Sequence, residues 1–363
     1  MNLSPITLLH FAAVAFICIA FLISFAASPL SIMISKKAGV MDVPDDERRM
    51  HRRPVPRLGG AAIFVSFIAS ALIYRALVIS GFSWAHDPSE TIPKLTAVII
   101  GGVIIFVLGV VDDTLNLPPK AKLLGQIGCA AAVFAMGLRI PSIRSFGWHF
   151  AENSAGDLIV SFLLTVFWIV LITNMINLID GLDGLAAGVA GIAALAIAYS
   201  SYIHGQYTSA FLMIILAGAA LGFLPFNFYP AKAFMGDSGA MFLGFVLAAV
   251  SIIGPAKSST LIATVAPVLV LGVPLFDVGF AVIRRKLRGQ PIFSADKEHL
   301  HHQLTSMGMG QRRSVLMLYG ISGIMGIAAI VFARSLYLEA IGLFSIAVVF
   351  ILIFIWGWNK NES

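Results

Sequence analysis

The feature that most limits how this chain can fold is a succession of apolar runs, each long enough to cross a lipid bilayer. A membrane-spanning helix needs about 20 predominantly apolar residues. We predict about eleven such spans, near residues 7–34, 58–80, 94–111, 123–138, 157–175, 184–203, 209–228, 239–254, 261–283, 314–332 and 338–358. Only 12% of the 363 residues are charged, against about a quarter in ordinary soluble domains.

These runs predict an all-α, polytopic integral membrane protein. Lipid offers no partner to an unpaired backbone group, so the helix, which satisfies its own groups, is the expected spanning element. A transmembrane β-barrel would need short segments of alternating polarity, and the sequence lacks them. The sequence contains no internal repeat, low-complexity tract or soluble domain, so residues 1–363 are interpreted as one membrane-embedded domain.

The distribution of lysine and arginine predicts the orientation. The loops on one side of the predicted bundle carry most of these residues, chiefly within 35–57 and 284–313. Cytoplasmic loops are enriched in them, so this side is predicted to face the cytoplasm, with the N-terminus outside and the C-terminus inside. The first span lacks the basic residues that precede a cleaved signal peptide, so we expect it to be retained. The net charge of +6 reflects this topology and does not indicate a nucleic-acid partner.

Acidic residues near the predicted helix ends gather on the same side. The segment GVVDDTLNL ends the third span with Asp112 and Asp113, NMINLIDGLDGL follows the fifth span, and AFMGDSGAMF places Asp237 before the eighth. A histidine cluster, FSADKEHLHHQL, lies in the loop 284–313. Carboxylates at the edge of the hydrocarbon are costly, and they indicate a functional site by default.

Each of these features also has a purely structural interpretation. Asp237 could cap the helix that follows it. Asp277 could pair with Arg284 or Arg285, and the histidines could form a solvated loop patch. A lone Asp-Asp pair carries little weight by itself. The convergence of four acidic segments, including the one with Asp277, and the histidine cluster on one side favours the functional interpretation.

The segment NMINLIDGLDGL contains a ladder of polar residues at three-residue spacing: Asn174, Asn177, Asp180 and Asp183. Each step advances about 300° around an α-helix, so a straight helix would point the first and last members to opposite sides. The two glycines of the segment predict that the helix breaks there. We therefore expect a helix end and a turn that bring the last three members of the ladder around one polar spot.

The polar groups predict a magnesium site that is shared with phosphate. A few hard oxygen ligands suit Mg²⁺, which keeps waters and binds together with substrate phosphates. Basic residues that can neutralise phosphate oxygens lie nearby: Lys120, Lys122, Arg284, Arg285 and Arg288. Zinc at the histidines is less favoured, because neither cysteine nor an H-E-x-x-H pattern supports it. The residues point to metal-assisted phosphoryl transfer that joins a soluble nucleotide substrate to a lipid substrate.

Six segments spread over most of the chain carry a family resemblance. They are, in order, GVMDVPDDERRMHRRPVPRLGGAA, VVDDTLNL, NMINLIDGLDGLAAG, FNFYPAKAFMGDSG, VPLFDVGFAVIRRKL and SADKEHLHHQL. With them the chain resembles the bacterial polyprenyl-phosphate N-acetylhexosamine-1-phosphate transferases. It is most similar to the undecaprenyl-phosphate members that initiate wall teichoic acid, enterobacterial common antigen or O-antigen lipopolysaccharide synthesis. The phospho-N-acetylmuramoyl-pentapeptide transferases resemble it less.

This resemblance implies a reaction. N-acetylglucosamine-1-phosphate would pass from UDP-N-acetylglucosamine (UDP-GlcNAc) to undecaprenyl phosphate, giving undecaprenyl-pyrophosphoryl-GlcNAc and UMP, with Mg²⁺ or Mn²⁺ as cofactor. It implies a multi-pass position in the bacterial inner membrane with the active site on the cytoplasmic face. The histidine run favours UDP-GlcNAc, and another UDP-N-acetyl sugar stays open. A homodimer also stays open, because small-residue faces such as GVAG and GAALG can pack helices within one chain or between two.

The resemblance also implies roles for individual residues. Asp237 would be the principal metal ligand with Asn177 beside it, and Asp112 and Asp113 would activate the lipid phosphate or assist the metal. Catalysis is thus assigned to the three aspartates. The predicted substrate-binding residues are Lys122, Asn116, Asp180, Asp183, Arg284, His299, His301 and His302. Asn116 stands where some relatives have an acidic or basic residue, and no mechanistic step depends on it.

The segment HRRPVPRLGG is predicted to lie at the membrane surface and to help hold the lipid phosphate. Its alternative role is that of a basic anchor on the cytoplasmic side. Among other protein classes, a secondary transporter would place acidic groups near the middle of the bilayer in two matched halves. A membrane prenyltransferase would not need the histidine-rich loop, and a purely structural membrane protein would not need the buried charges.

Overall fold

The structure is a computed structural model that describes residues 5–43, 54–81, 88–140, 154–253, 272, 285–286 and 310–361. Within these ranges the chain forms ten α-helices and one short antiparallel pair of strands. The helices are α1 (Pro5–Ala38), α2 (Gly60–Ile79), α3 (Pro88–Leu115), α4 (Pro119–Ala135), α5 (Ala155–Ile179), α6 (Leu185–Ile203), α7 (Tyr207–Asn227), α8 (Gly236–Ile252), α9 (Gly310–Ala333) and α10 (Tyr337–Asn361). The strands are β1 (Met41–Asp42) and β2 (Val55–Pro56).

Ten of the eleven predicted spans overlap helices α1 to α10. The span predicted at 261–283 lies outside the described residues except for Gly272. Seven of the described helices are long and apolar enough to cross a membrane, and α8 and the first half of α10 are shorter apolar helices. The chain therefore has the mostly helical architecture of a polytopic membrane protein, and the total of eleven spans stays a prediction.

The third and fifth spans end later than the apolar runs predict. In the third span, counting of apolar residues stops at the first carboxylate, whereas helical hydrogen bonding continues through Asp112 and Asp113 to Leu115. In the fifth, the helix continues past the polar Asn174 and Asn177 to Ile179. Helix α3 ends where Asn116 adopts a positive φ of 49°, a conformation that asparagine tolerates better than most residues. The aspartate pair consequently lies inside the last turn of a helix, which holds both carboxylates in place.

Helix α8 forms the centre of the described structure. Its residues 238–250 are all buried, and it packs against α2, α3 and α5. Small residues bring the neighbours close to its beginning: a Cβ atom at Gly60 of α2 would overlap Gly239, and one at Gly109 of α3 would overlap the backbone of Ser238. The first turn of α8 is thereby enclosed by other helices.

The two small-residue faces noted in the sequence pack inside this chain. Gly188, in the GVAG face of α6, lies directly against the ring of Tyr319 in α9. Gly218 and Gly222, in the GAALG face of α7, lie against the backbone of α1. These contacts account for the small residues by close helix packing within one chain.

Candidate active site

Three carboxylates and two cations from four parts of the chain meet at the first turn of α8. Asp112 and Asp113 come from the last turn of α3, and Asp237 comes from the first turn of α8. Lys122 lies at the beginning of α4, and Arg57 lies between β2 and α2. We call these five residues the carboxylate cluster. The structure thus brings together all three aspartates and the lysine that the sequence motifs singled out.

Lys122 joins two of the carboxylates. Its Nζ atom lies 2.5 Å from Asp112 Oδ2 and 3.1 Å from Asp237 Oδ1. The other Asp112 oxygen accepts a hydrogen bond of 2.9 Å from the backbone N–H of Leu117. Both oxygens of Asp112 therefore have partners, and its side chain is almost completely buried.

Asp113 caps helix α8 from a neighbouring helix. Its two oxygens accept hydrogen bonds from the backbone N–H groups of Asp237 and Ser238, at 2.8 and 3.0 Å. Helix α8 begins after Met235 without a side-chain cap of its own, so the Asp237 carboxylate is not used for capping. The first N–H groups of a helix need such acceptors, and Asp113 provides them across the α3–α8 contact.

The glycine of the MGD segment is required by this arrangement. Gly236 has a φ of +70°, which glycine adopts without steric cost. A Cβ atom there would overlap the carbonyl oxygen of Arg57 and crowd the Asp113 carboxylate. Gly236 therefore allows the chain to pass between two members of the carboxylate cluster, a role that the sequence analysis did not identify.

Asp237 is the most accessible carboxylate of the cluster. Its side chain is 19% exposed, whereas those of Asp112 and Asp113 are 4% and 0% exposed. Asp237 Oδ1 faces Lys122, and Oδ2 faces the Arg57 guanidinium at 3.6 Å. An incoming ligand can therefore reach Asp237 more readily than either member of the aspartate pair.

The predicted break in the ladder segment is confirmed, and its members serve different contacts. Helix α5 ends at Ile179, and Gly184, with a φ of 82°, precedes α6. Asn177 lies close enough to the Asp237 carboxylate to interact with it. Asp183 accepts a 2.9 Å hydrogen bond from the backbone N–H of Ala231, in the segment between α7 and α8. The ladder thus reaches the cluster through Asn177 and ties down the neighbouring loop through Asp183.

Asp180 adds a further carboxylate in the field of the cluster. It follows the last residue of α5, where it is half-buried. Burial, and then the nearby carboxylates of Asp237 and Asp113, raises the pKa of Asp180 well above its usual range. Carboxyl groups are therefore crowded at this end of the helices, and a cation bound there would favour their charged forms.

An amide pair, the buried Gln126 and the half-buried Asn174, lies one helical turn beneath the cluster. Asn174 Nδ2 donates to Gln126 Oε1 at 2.6 Å and also to the Val170 carbonyl at 2.8 Å. Gln126 follows Lys122 by four residues on α4, and Asn174 precedes Asn177 by three on α5. The pair thus joins the helices that hold Lys122 and Asn177. The sequence analysis missed Gln126, although a lone amide within KLLGQIGCAAA was a signal for it.

The remaining predicted site residues lie outside the cluster or outside the described residues. Arg284, His299, His301 and His302 lie outside the described residues, as does Asp277. Asn116 is exposed at the end of α3, where it terminates the helix. Arg57 belongs to the segment HRRPVPRLGG, which is predicted to help hold the lipid phosphate, but the sequence analysis did not single it out, and the structure adds it to the predicted site residues.

The oxygen donors fit a magnesium ion that binds together with its substrate. In the described part of the chain, no three His, Cys, Asp or Glu side chains are arranged to hold a metal alone. Lys122 lies between Asp112 and Asp237 and neutralises both. The accessible carboxylate of Asp237 and the amide of Asn177 supply two hard ligand groups. Mg²⁺ commonly uses one or two carboxylates and completes its shell with waters and substrate phosphates.

The comparisons with known proteins all indicate the same family. The model of glycosyl transferase family 4 matches residues 95–255, a range that contains four of the five cluster residues. A probable undecaprenyl-phosphate N-acetylglucosaminyl 1-phosphate transferase of Bacillus subtilis is 38% identical over 87% of this chain and 84% of its own length. A decaprenyl-phosphate N-acetylglucosaminephosphotransferase of Mycobacterium tuberculosis is 34% identical over 84% and 78%. A phospho-N-acetylmuramoyl-pentapeptide-transferase of Bacillus cytotoxicus is 32% identical over 86% and 95%.

The fold and the site define a class of protein: a helical membrane protein with a cluster of carboxylates and a lysine at one end of its helices. The chain belongs to glycosyl transferase family 4, the family of these polyprenyl-phosphate sugar-1-phosphate transferases, as its motifs predicted.

Proposed function

We propose that this protein transfers N-acetylglucosamine-1-phosphate from UDP-GlcNAc to undecaprenyl phosphate, giving undecaprenyl-pyrophosphoryl-GlcNAc and UMP. The observation that carries the proposal is the carboxylate cluster, in which an accessible aspartate is flanked by two cations at one end of apolar helices. Such a place suits a reaction between a lipid-anchored phosphate and a soluble nucleotide. The names of the relatives from B. subtilis and M. tuberculosis support the same chemistry.

In this reaction an oxygen of the lipid phosphate attacks the β-phosphorus of the nucleotide-sugar. The bond from that phosphorus to the oxygen bridging the α-phosphate breaks, and UMP leaves with the electron pair. Asp237 and Asn177 would hold Mg²⁺, which supplies charge neutralisation for the phosphate oxygens. Lys122 keeps the Asp237 carboxylate oriented, because its ammonium group lies 3.1 Å from Oδ1.

Direct attack is better supported than a covalent aspartyl-phosphate. Both oxygens of Asp113 accept backbone hydrogen bonds, and both oxygens of Asp112 have partners. A nucleophilic carboxylate would have to present an oxygen to the phosphorus, and these two would first have to break their contacts. Positioning and charge neutralisation suffice for phosphoryl transfer.

The proposal extends to location and to the remaining substrate contacts. The cluster end of the helices would face the cytoplasm of the bacterial cell, where nucleotide-sugars are available. Arg284 and the histidines 299, 301 and 302 would complete the site at the pyrophosphate or the sugar. The lipid-linked product would start a surface polysaccharide or a teichoic acid.

Turnover of labelled UDP-GlcNAc tests the activity. Membranes containing the full chain should convert the label to a lipid-soluble product and release UMP in equal amounts, only when undecaprenyl phosphate and Mg²⁺ are present. Membranes with Asp237→Asn are the matched control. Accumulation of intact UDP-GlcNAc inside sealed vesicles without lipid product would indicate a transporter instead. Product formed only from another UDP-N-acetyl sugar would overturn the choice of donor.

Cysteine labelling tests the orientation. Single cysteines placed after residues 45 and 295 should react only with reagent on the cytoplasmic side, and those after residues 86 and 150 only with reagent outside. The reason is the excess of Lys and Arg in the loops 35–57 and 284–313. Labelling of position 295 from outside would separate the histidine cluster from the aspartates and contradict a shared site.

A further inference from the structure

Arg57 is held beside Asp237 by its own backbone. The Arg57 N–H donates to the Val40 carbonyl and to the Ser35 hydroxyl, each at 3.2 Å. Its carbonyl oxygen lies where a side chain at position 236 would project, so Gly236 is packed directly against it. The location of Arg57 is therefore set by the main chain on both of its sides and does not depend on its side chain.

The residues flanking Arg57 are paired with the segment that leads into α8. The Phe234 N–H donates to the Pro56 carbonyl at 2.8 Å, and the Gly60 N–H donates to the Met235 carbonyl at 2.9 Å. These bonds join residues 56–60 to the two residues immediately before the MGD glycine. The backbone at Arg57 is thus joined to the segment that positions Asp237.

The Arg57 guanidinium is close to two carboxylates without being saturated by them. Its Nη2 atom lies 3.7 Å from Asp113 Oδ1 and 3.6 Å from Asp237 Oδ2. Both distances exceed the usual range of about 2.7 to 3.2 Å for an N–H···O hydrogen bond. Lys122, by contrast, contacts the same Asp237 at 3.1 Å. The Arg57 side chain is also 26% exposed, so a ligand can reach it.

We propose that Arg57 binds the phosphate group that reacts beside Asp237. A guanidinium presents paired donors that match two phosphate oxygens, which an ammonium group cannot do. The Arg57 guanidinium lies on the Oδ2 side of the Asp237 carboxylate, and the Lys122 ammonium lies on the Oδ1 side. A phosphate group that binds on the Oδ2 side therefore meets the paired donors of Arg57. The group is either the phosphate of the polyprenyl lipid or the pyrophosphate of the nucleotide-sugar. The choice of these two sources rests on the proposed transfer reaction.

The competing explanation is an ion pair that only neutralises Asp113 and Asp237. The variants Arg57→Gln and Arg57→Lys distinguish phosphate binding from this ion pair, because lysine keeps the positive charge and lacks the paired donors of the guanidinium. Arg57→Gln should raise the KM of one substrate at least about tenfold, as expected for the loss of a charge-assisted bidentate contact. Arg57→Lys should recover only part of this loss. Arg75→Gln, at the other end of α2, is the matched control and should leave both KM values unchanged.

The substrate whose KM rises identifies the source of the phosphate: undecaprenyl phosphate for the lipid group, UDP-GlcNAc for the pyrophosphate. A second readout does not need turnover. Farnesyl phosphate or UDP should raise the thermal unfolding temperature of the wild-type protein, and Arg57→Gln should lose this stabilisation for one of the two. If the wild type makes no product yet shows this Arg57-dependent stabilisation, the proposed reaction fails and phosphate binding stands.

Two results would overturn the inference. In the first, Arg57→Lys matches the wild type in both KM values and in ligand stabilisation, which shows that charge alone matters. In the second, Arg57→Gln lowers thermal stability without ligand and leaves both KM values unchanged, which assigns Arg57 to the structural ion pair. A poorly folded Arg57→Gln protein would move the decision to Arg57→Lys, which retains the charge.

Discussion

The two ends of the helices carry similar charged residues and use them in different ways. At the cluster end, Lys122 joins Asp112 and Asp237 across three helices, and all these side chains are largely buried. At the opposite end, Lys94 pairs with Glu90 one turn earlier on the same helix, at 3.8 Å, with side chains 40% and 75% exposed.

The aromatic contacts show the same contrast. At the end opposite the cluster, Arg334 lies over the ring of Tyr199 at 5.4 Å, and His10 shares a 2.9 Å hydrogen bond with Tyr202, both at exposed positions. Exposed pairs contribute little to stability, whereas the loss of one partner from a buried network leaves an uncompensated group. The cluster end therefore keeps charged side chains that are largely buried and paired across helices, where chemistry can use them.

Neutralising Asp237 should have the largest effect on turnover. Asp237→Asn keeps the size of the side chain and leaves the cap of α8 intact, because Asp113 provides that cap. Turnover should fall by about 10²–10³-fold, the usual cost of removing a key electrostatic stabiliser. Excess Mg²⁺ should not restore it fully, although Mn²⁺ should help more. The measurement is turnover at several metal concentrations, with thermal unfolding in parallel.

A folded Asp237→Asn protein with a near-normal rate and an unchanged metal dependence would remove this residue from the metal site. The neutralising change Glu90→Gln at the other end serves as the control for the loss of one carboxylate charge.

Asp113→Asn should mainly reduce the stability of the protein, and any loss of turnover should follow from that lower stability. Asparagine offers one acceptor oxygen, and its NH₂ group would face a backbone N–H that now donates to Asp113. The loss of such a cap costs about 0.5–2 kcal/mol, so the thermal unfolding temperature should drop clearly, in contrast to Asp237→Asn. Reduced turnover with unchanged thermal stability would instead give Asp113 a chemical role and contradict the capping role.

This pair of variants also marks what the sequence could predict. Apolar runs locate helices because a span must be apolar along its length, and ten predicted spans overlap helices in the described residues. The motifs around Asp112, Lys122 and Asp237 predicted one polar site, and these residues do meet. The cap by Asp113 could not be predicted, because it depends on which helix packs against the beginning of α8. The position of Arg57 beside Asp237 could not be predicted for the same reason, since it depends on the tertiary pairing of its neighbours Pro56 and Gly60 with residues 234–235.

Gln126→Leu should have an intermediate effect. It removes the partner of the half-buried Asn174 amide, which keeps only its bond to the Val170 carbonyl. A buried polar group left without a partner costs about 1–3 kcal/mol, and we expect the lower end because that second bond survives. The double variant Gln126→Leu, Asn174→Leu should be less destabilised than the sum of the two single variants, because the changes are coupled. Simple additivity in thermal unfolding would show that the amide pair does not join α4 to α5.

Glu90→Gln should have the smallest effect and tests the other side of the comparison. Its partner Lys94 lies at 3.8 Å, and both side chains are exposed, so water replaces the lost contact. Exposed pairs on one helix contribute about 0.3–0.5 kcal/mol, which predicts a shift in thermal unfolding close to the detection limit and unchanged turnover with both substrates. Raising the salt concentration should reduce even this difference, because exposed charges are screened. A loss of turnover in Glu90→Gln comparable to that in Asp237→Asn would mean that the end opposite the cluster also takes part in the reaction, and the functional distinction between the two ends would no longer hold.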